Sequence, residues 1–159
     1  MPLSVRPPLI TLILIAALAP VAVLAEQSPA PPPSAQGDLI INVQVVYASK
    51  TENKVDPSLQ GIHKRLAQLF DFTFYRLESA RRIQGALGRE GRVDLPDGKT
   101  LLLKPVEKKD DMWKVAVEIP KLIKTDLLIK DGNMVIIGGT KYDQGVLILV
   151  IEVNPAAKR

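Results

Sequence analysis

The stretch VLILVIEV, residues 146–153, opens with six consecutive aliphatic residues, Val146 to Ile151, and no polar residue among them. A β-strand sends successive side chains to opposite faces, so this run offers water neither face. Eight residues fall far short of the ~20 that a membrane-spanning helix needs. The run also lacks the alternation of a transmembrane barrel strand, whose lumen side is polar. It therefore predicts a strand buried on both faces, covered on one side by the core of its sheet and on the other by a helix or a second sheet.

The glycine pair upstream, in DGNMVIIGGTKYDQG (residues 131–145), invites comparison with a phosphate-cradling loop. Such a loop passes from a strand into a helix N-terminus, whose free N–H groups face the anion. Here a β-branched strand follows and no helix start is present. Gly138 and Gly139 are thus expected to form a turn or bulge where the chain leaves MVII and crosses through TKYDQ to the last strand.

The remaining pattern agrees with a sheet. In LIINVQVVYA (residues 39–48), Leu39, Ile41, Val43, Val45 and Tyr47 alternate with a second set that includes Asn42 and Gln44. After the polar SKTENKV, residues 56–70 (DPSLQGIHKRLAQLF) form the one convincing helix. Asp56 fits its N-cap and Pro57 its first position, while Leu59, Ile62, Leu66 and Leu69 recur on one face. Gly61 weakens it by about 1 kcal/mol relative to Ala, so docking must stabilise it. FTFYRLE then returns to period two and predicts a second strand, with Phe72 and Phe74 set against Thr73 and Tyr75. Turn signals at GREG (88–91), PDGK (96–99), KKDD (108–111) and KDGN (130–133) separate RRIQGAL, RVDL, TLLLKPVE, WKVAVEI and LIKTDLLI. The predicted fold class is α+β: a mostly antiparallel sheet or sandwich, β-α-β followed by a β-meander, with one helix packed on the sheet.

Residues 1–25 carry one charge, Arg6, and an apolar stretch ending in Val23 and Ala25, small enough for a cleavage site. This predicts a signal peptide, with Pro20 and the small-residue end favouring cleavage over retention as an anchor. Residues 26–37, rich in Pro, Ala, Ser and Gln, predict a disordered linker. A single domain is expected over residues 38–155 and a disordered tail over 156–159. Removing Arg6 leaves 20 basic and 17 acidic side chains and no cysteine. The mild excess carries no nucleic-acid signature, and disulfides are excluded as a source of stability. The predicted destination is the periplasm or the medium, with no membrane insertion after signal cleavage.

Chemistry is constrained by what the chain lacks. One histidine, His63, cannot build a three-histidine zinc site, and without cysteine no thiolate site exists. Off the Leu59–Ile62–Leu66 stripe, His63 is expected at the helix surface. Ser49, Ser58 and Ser79 stand outside any Gly-x-Ser-x-Gly elbow. The pairs Asp94 with Asp97 and Asp110 with Asp111 lie in expected turns, where aspartate is a turn former. Trp113, in step with Val115 and Val117, is expected in the core rather than as a sugar platform. Lys104, Lys114, Lys121, Lys124 and Lys130 are interleaved with Glu107, Glu118 and Asp126, which predicts a solvated sheet face and protected edges. No catalytic, cofactor-binding or metal residue is expected, and no cofactor.

The segment 127–155, LLIKDGNMVIIGGTKYDQGVLILVIEVNP, resembles the closing β-motif of bacterial secretin channels. The resemblance is carried by Asp131, Gly132, Val135, Ile136, Gly138, Gly139 and the run from Leu147 to Pro155. Secretins have a longer segment after the glycine pair and a larger pore domain, so no channel is implied. The rest of the chain resembles uncharacterised secreted proteins of Gram-negative bacteria. Export, the Pro-rich linker, the β-rich fold and the secretin-like ending together lead to the expectation of a non-enzymatic exported interaction domain, accessory to envelope assembly or secretion, for which an envelope or secretion-system protein is a possible partner. The alternative is a binder or carrier of a small apolar or anionic ligand between helix and sheet.

Export makes a direct prediction. When the chain is expressed in a Gram-negative host, the intact mass of the envelope-extracted protein should match a chain beginning at Glu26, and the full-length mass should be absent.

Overall fold

The computed structural model describes residues 39–156; the expected signal peptide, the Pro-rich linker and residues 157–159 lie outside the described residues. In chain order the elements are β1 (Leu39–Ser49), β2 (Lys54–Val55), a 3-10 turn (Pro57–Leu59), α1 (Gln60–Leu69), β3 (Phe74–Gly85), β4 (Gly91–Asp94), β5 (Thr100–Lys109), β6 (Met112–Ile119), β7 (Ile123–Lys130), β8 (Asn133–Tyr142) and β9 (Gly145–Pro155). They form a five-stranded sheet in the order β2-β3-β1-β9-β8 and a four-stranded sheet in the order β4-β5-β6-β7. Every pairing is antiparallel except the short parallel contact of β2 with β3. The fold is α+β and β-rich, as the periodicity predicts.

The aliphatic run that constrained the fold lies in β9, next to β1 at the centre of the first sheet. Its odd members, Leu147, Leu149, Ile151 and Val153, join Leu39, Ile41, Val43, Val45 and Tyr47 of β1 in a core against the second sheet. That sheet contributes Val93, Leu101, Leu103, Trp113, Val115, Val117, Ile119 and Ile129. The even members Ile148 and Val150 face the other way, with Val46, Ala48 and Tyr75, and are roofed by Leu59, Ile62 and Leu66. Three layers result, helix on sheet on sheet, because a central strand without a polar face needs cover on both sides.

The helix docks through close contacts. Leu59 and Leu66 are fully buried, and full burial of such a side chain stabilises by about 1.5–3 kcal/mol. At its C-terminal end Phe70 donates its N–H to the Leu66 carbonyl at 2.9 Å, and its ring lies on Gly138 of β8, where any Cβ would overlap it. Gly138 therefore makes room for the helix. Its neighbour serves the backbone: Gly139 has φ +116°, and the β8–β9 register shifts between Gly138 and Thr140. The pair forms a bulge inside β8, and the chain turns later, between Tyr142 and Gly145, with Asp143 at φ +50°.

Three expectations are corrected. FTFYRLE and RRIQGAL are separate runs in the sequence but belong to one twelve-residue strand, β3. A register shift opposite Val45 and Val46 inserts Glu78 and breaks the apparent period. Phe72 does not share a strand face with Phe74, since it precedes β3 and packs toward the helix while Phe74 packs on the inter-sheet core. The polar SKTENKV contains the short β2.

Leu66→Ala should cost about 2–5 kcal/mol in urea unfolding, the usual range for a buried leucine left as a cavity. Gly138→Ala should cost about 1–3 kcal/mol by overpacking. In a Phe70→Ala background the Gly138→Ala penalty should largely vanish, the coupling expected of residues in contact.

Candidate functional site

The first sheet has one edge that is only partly closed. β2 pairs with β3 over Phe74 and Tyr75, with the Lys54 N–H on the Thr73 carbonyl at 3.2 Å and the Asp56 N–H on the Tyr75 carbonyl at 2.9 Å. Pro57 has no N–H to continue the ladder. Asp56 then ends the strand with its side chain, accepting the Leu77 N–H at 3.3 Å. Its other oxygen accepts the Ser58 N–H at 2.9 Å and the Ser58 hydroxyl at 2.6 Å, capping the 3-10 turn that leads into α1. The hydroxyl and N–H of Ser58, followed by the Leu77 N–H and the Lys54 charge, hold the Asp56 carboxyl below its ordinary value. Beyond Leu77, this side of β3 has no strand partner among the described residues.

Where β2 stops, a cleft of about 240 Å³ opens between Lys54, Asp56, Pro57, Phe74, Tyr75 and Arg76. The Arg76 guanidinium lies 5.3 Å from the Tyr47 ring centroid and 6.0 Å from that of Phe74. Tyr47 in turn meets Phe74 and Tyr142 edge to face. Glu78, the bulge residue, accepts from Arg76 at 2.5 and 2.7 Å and raises its pKa. Arg76 is therefore held in place by stacking and by a carboxylate.

Further along the edge stand Arg81, opposite Val43, and Arg82, opposite Asn42. Paired residues share a face, so Arg81 points to the inter-sheet side and Arg82 to the helix side of the sheet. Both are exposed, and neither joins an ion pair among the described residues. Residues 39–156 hold 18 basic and 15 acidic side chains, an excess of three. Residues 76–92 alone hold five arginines and two glutamates, the same excess, and the remainder balances at 13 each. The basic character of the described residues is thus concentrated on β3, the link to β4 and the start of β4.

The lysines singled out in the sequence behave differently. Lys114 pairs with Asp126 at 3.1 Å, Lys124 with Glu118 at 3.3 Å and Lys130 with Asp111 at 2.9 Å, all on the second sheet. Lys104 and Lys124 line a shallow hollow of about 110 Å³ with Glu90, Glu118 and Asp126, where no sign of charge dominates. The arginine edge is what sequence reasoning missed. Its only signal is the segregation of residue types, five of the six arginines in residues 39–156 lying within 76–92.

The other candidates fall in separate places. His63 is half-buried rather than free at the helix surface, its ring edge-on to Tyr75 at 5.5 Å. Ser49 is buried and shares a hydrogen bond with Thr51. The Ser79 hydroxyl, next to the bulge, is buried without a partner among the described residues. Asp97 accepts the Lys99 N–H at 3.1 Å within its turn, and Asp94 accepts from Thr100 at 3.3 Å. Asp110 sits in the β5–β6 turn at φ +53°. Trp113 is fully buried, donates its indole N–H to Asp131 at 2.6 Å and lies under the Lys108 ammonium at 4.6 Å. A hollow lies beside the helix, about 270 Å³ between Arg65, Gln68 and Leu69 and Met134 and Ile136. Among the described residues no helix is long and apolar enough to cross a membrane, and no cluster of three His, Cys, Asp or Glu could hold a metal ion.

Comparison with known proteins finds no match: no family model, no curated protein and no solved structure is significantly similar to the chain.

The Asp56 cap has a pH signature. Its folded-state pKa lies below the ordinary 3.8, so the unfolded chain binds the proton more readily and acid favours unfolding. The stabilisation is present above about pH 4 and is lost as pH falls through the folded value. Asp71, paired with Lys50, and Asp111, paired with Lys130, shift the same way. Asp56→Asn keeps an acceptor for Ser58 but removes the charge. Urea midpoints measured from pH 5 to pH 2.5 should fall less steeply in this variant than in wild type.

Proposed function

We propose that this chain is a non-enzymatic exported interaction domain, accessory to envelope assembly or secretion. The observation that carries the reading is the open side of β3. A strand edge presents a row of N–H and C=O groups ready to pair with another chain, and folded proteins usually shorten, bulge or charge such edges. Among the other edges, β4 has four residues, β8 carries the Gly138–Gly139 bulge, and β7 carries the charges of Lys124, Asp126 and Lys130 beside an exposed Leu128. β3 is bulged at Glu78 and charged by its arginines as well, but it is the longest of these edges: of its twelve residues β2 covers two. Export by the N-terminal signal and the secretin-like ending of residues 127–155 add the envelope setting.

A carrier of a small apolar or anionic ligand is the second reading, favoured by the hollow beside α1. Its volume of about 270 Å³ lies just under the ~300–1,000 Å³ of ligand pockets. Native mass spectrometry of protein purified from its own host should show the apo mass if interaction is the function and an added mass if carriage is. Tagged exported protein should retain a specific envelope protein from detergent extracts; retention of nothing above the untagged control would remove the interaction reading.

A further inference from the structure

Resting on the interaction reading, we infer that the open edge of β3 takes up an extended acidic segment of a partner protein, which adds as a sixth strand with carboxylates on the arginines. From Glu78 to Gly85 the edge is eight residues long, roughly 26 Å at strand rise. Strand addition uses backbone hydrogen bonds for affinity and side chains on alternating faces for selection. Here the selecting groups are Arg81 on one face and Arg82 on the other, both exposed and without an ion pair among the described residues. An incoming strand with two consecutive carboxylates places one against each guanidinium, in the bidentate geometry that arginine offers and lysine does not. At the near end of the edge, the cleft walled by Arg76, Lys54 and Phe74 can receive the residue that follows.

Charge also decides between occupants. In a second copy of this chain, two-fold antiparallel β3–β3 pairing keeps residues of one face together, so a register centred on Arg81 or on Arg82 sets that arginine opposite its own counterpart. Like charges directly opposite destabilise a pair, so self-association in those registers is disfavoured. A nucleic acid offers negative charge but no backbone to complete the ladder.

The test uses the purified exported protein and three fluorescein-labelled probes: a ten-residue peptide alternating Val with pairs of Glu, the same peptide with Lys for Glu, and a short DNA duplex. Anisotropy at moderate salt should show the acidic peptide binding at least tenfold tighter than the other two. Arg81→Glu with Arg82→Glu should weaken it at least tenfold, and Lys114→Glu on the second sheet should leave it unchanged. Hydrogen exchange should show slowed amides within residues 78–85 on peptide binding. Equal binding of the lysine peptide, tighter binding of DNA, indifference to the arginine substitutions or protection elsewhere would each overturn the assignment, as would a β3-paired dimer in light scattering. If the double variant melts early by circular dichroism, Arg81→Gln with Arg82→Gln and the wild-type exchange pattern decide. A folded double variant that still retains the wild-type envelope partner would sink the edge assignment and leave the interaction reading standing. If wild type retains none, both fall.

Discussion

The structure depends on one requirement, that the β1–β9 pair be dry on both faces. Val146 to Ile151 has no polar side chain to offer water, and β1 beside it is buried on both sides from Val45 to Ser49. One face is covered by the second sheet and the other by a single helix of ten residues. The helix is too short to be stable alone. Its position is set by what lies under it: Leu59, Ile62 and Leu66 on Val46, Ala48, Ile148 and Val150, and Phe70 on the bare backbone of Gly138.

Covering a sheet with one short helix leaves part of its outer face and part of its edge open. Asp56 marks the boundary. It closes β2, caps the turn into α1 and receives the Leu77 N–H with one carboxylate. Past it β3 runs on as an edge with Arg81 and Arg82 exposed, while on the second sheet Lys114, Lys124 and Lys130 are paired with acids.

Much of the fold was legible in the sequence because local rules sufficed. Period-two runs located β1 and the second sheet, the Asp56–Pro57 signal located the helix start, and the turn residues located most boundaries. The division of β3 into two runs has a local cause: at Glu78 an extra residue enters the strand without ending it, and in one dimension a bulge looks like a break. The arginine edge was not legible for another reason: whether a strand is central or at an edge is decided by its neighbours, and nothing in the residues of β3 states that β2 stops after Val55.

By itself the sequence determined that the chain builds a β-rich α+β domain with a strand dry on both faces, no thiol chemistry and too few histidines for a three-histidine zinc site. Those follow from composition and periodicity, which act residue by residue. Only the tertiary structure decided which layer covers which face, that Gly138 exists to admit Phe70, and that Arg81 and Arg82 lie on a strand left open at one edge. These are matters of contact between residues far apart in the chain, as between Phe70 and Gly138, and they are fixed by packing rather than by local preference.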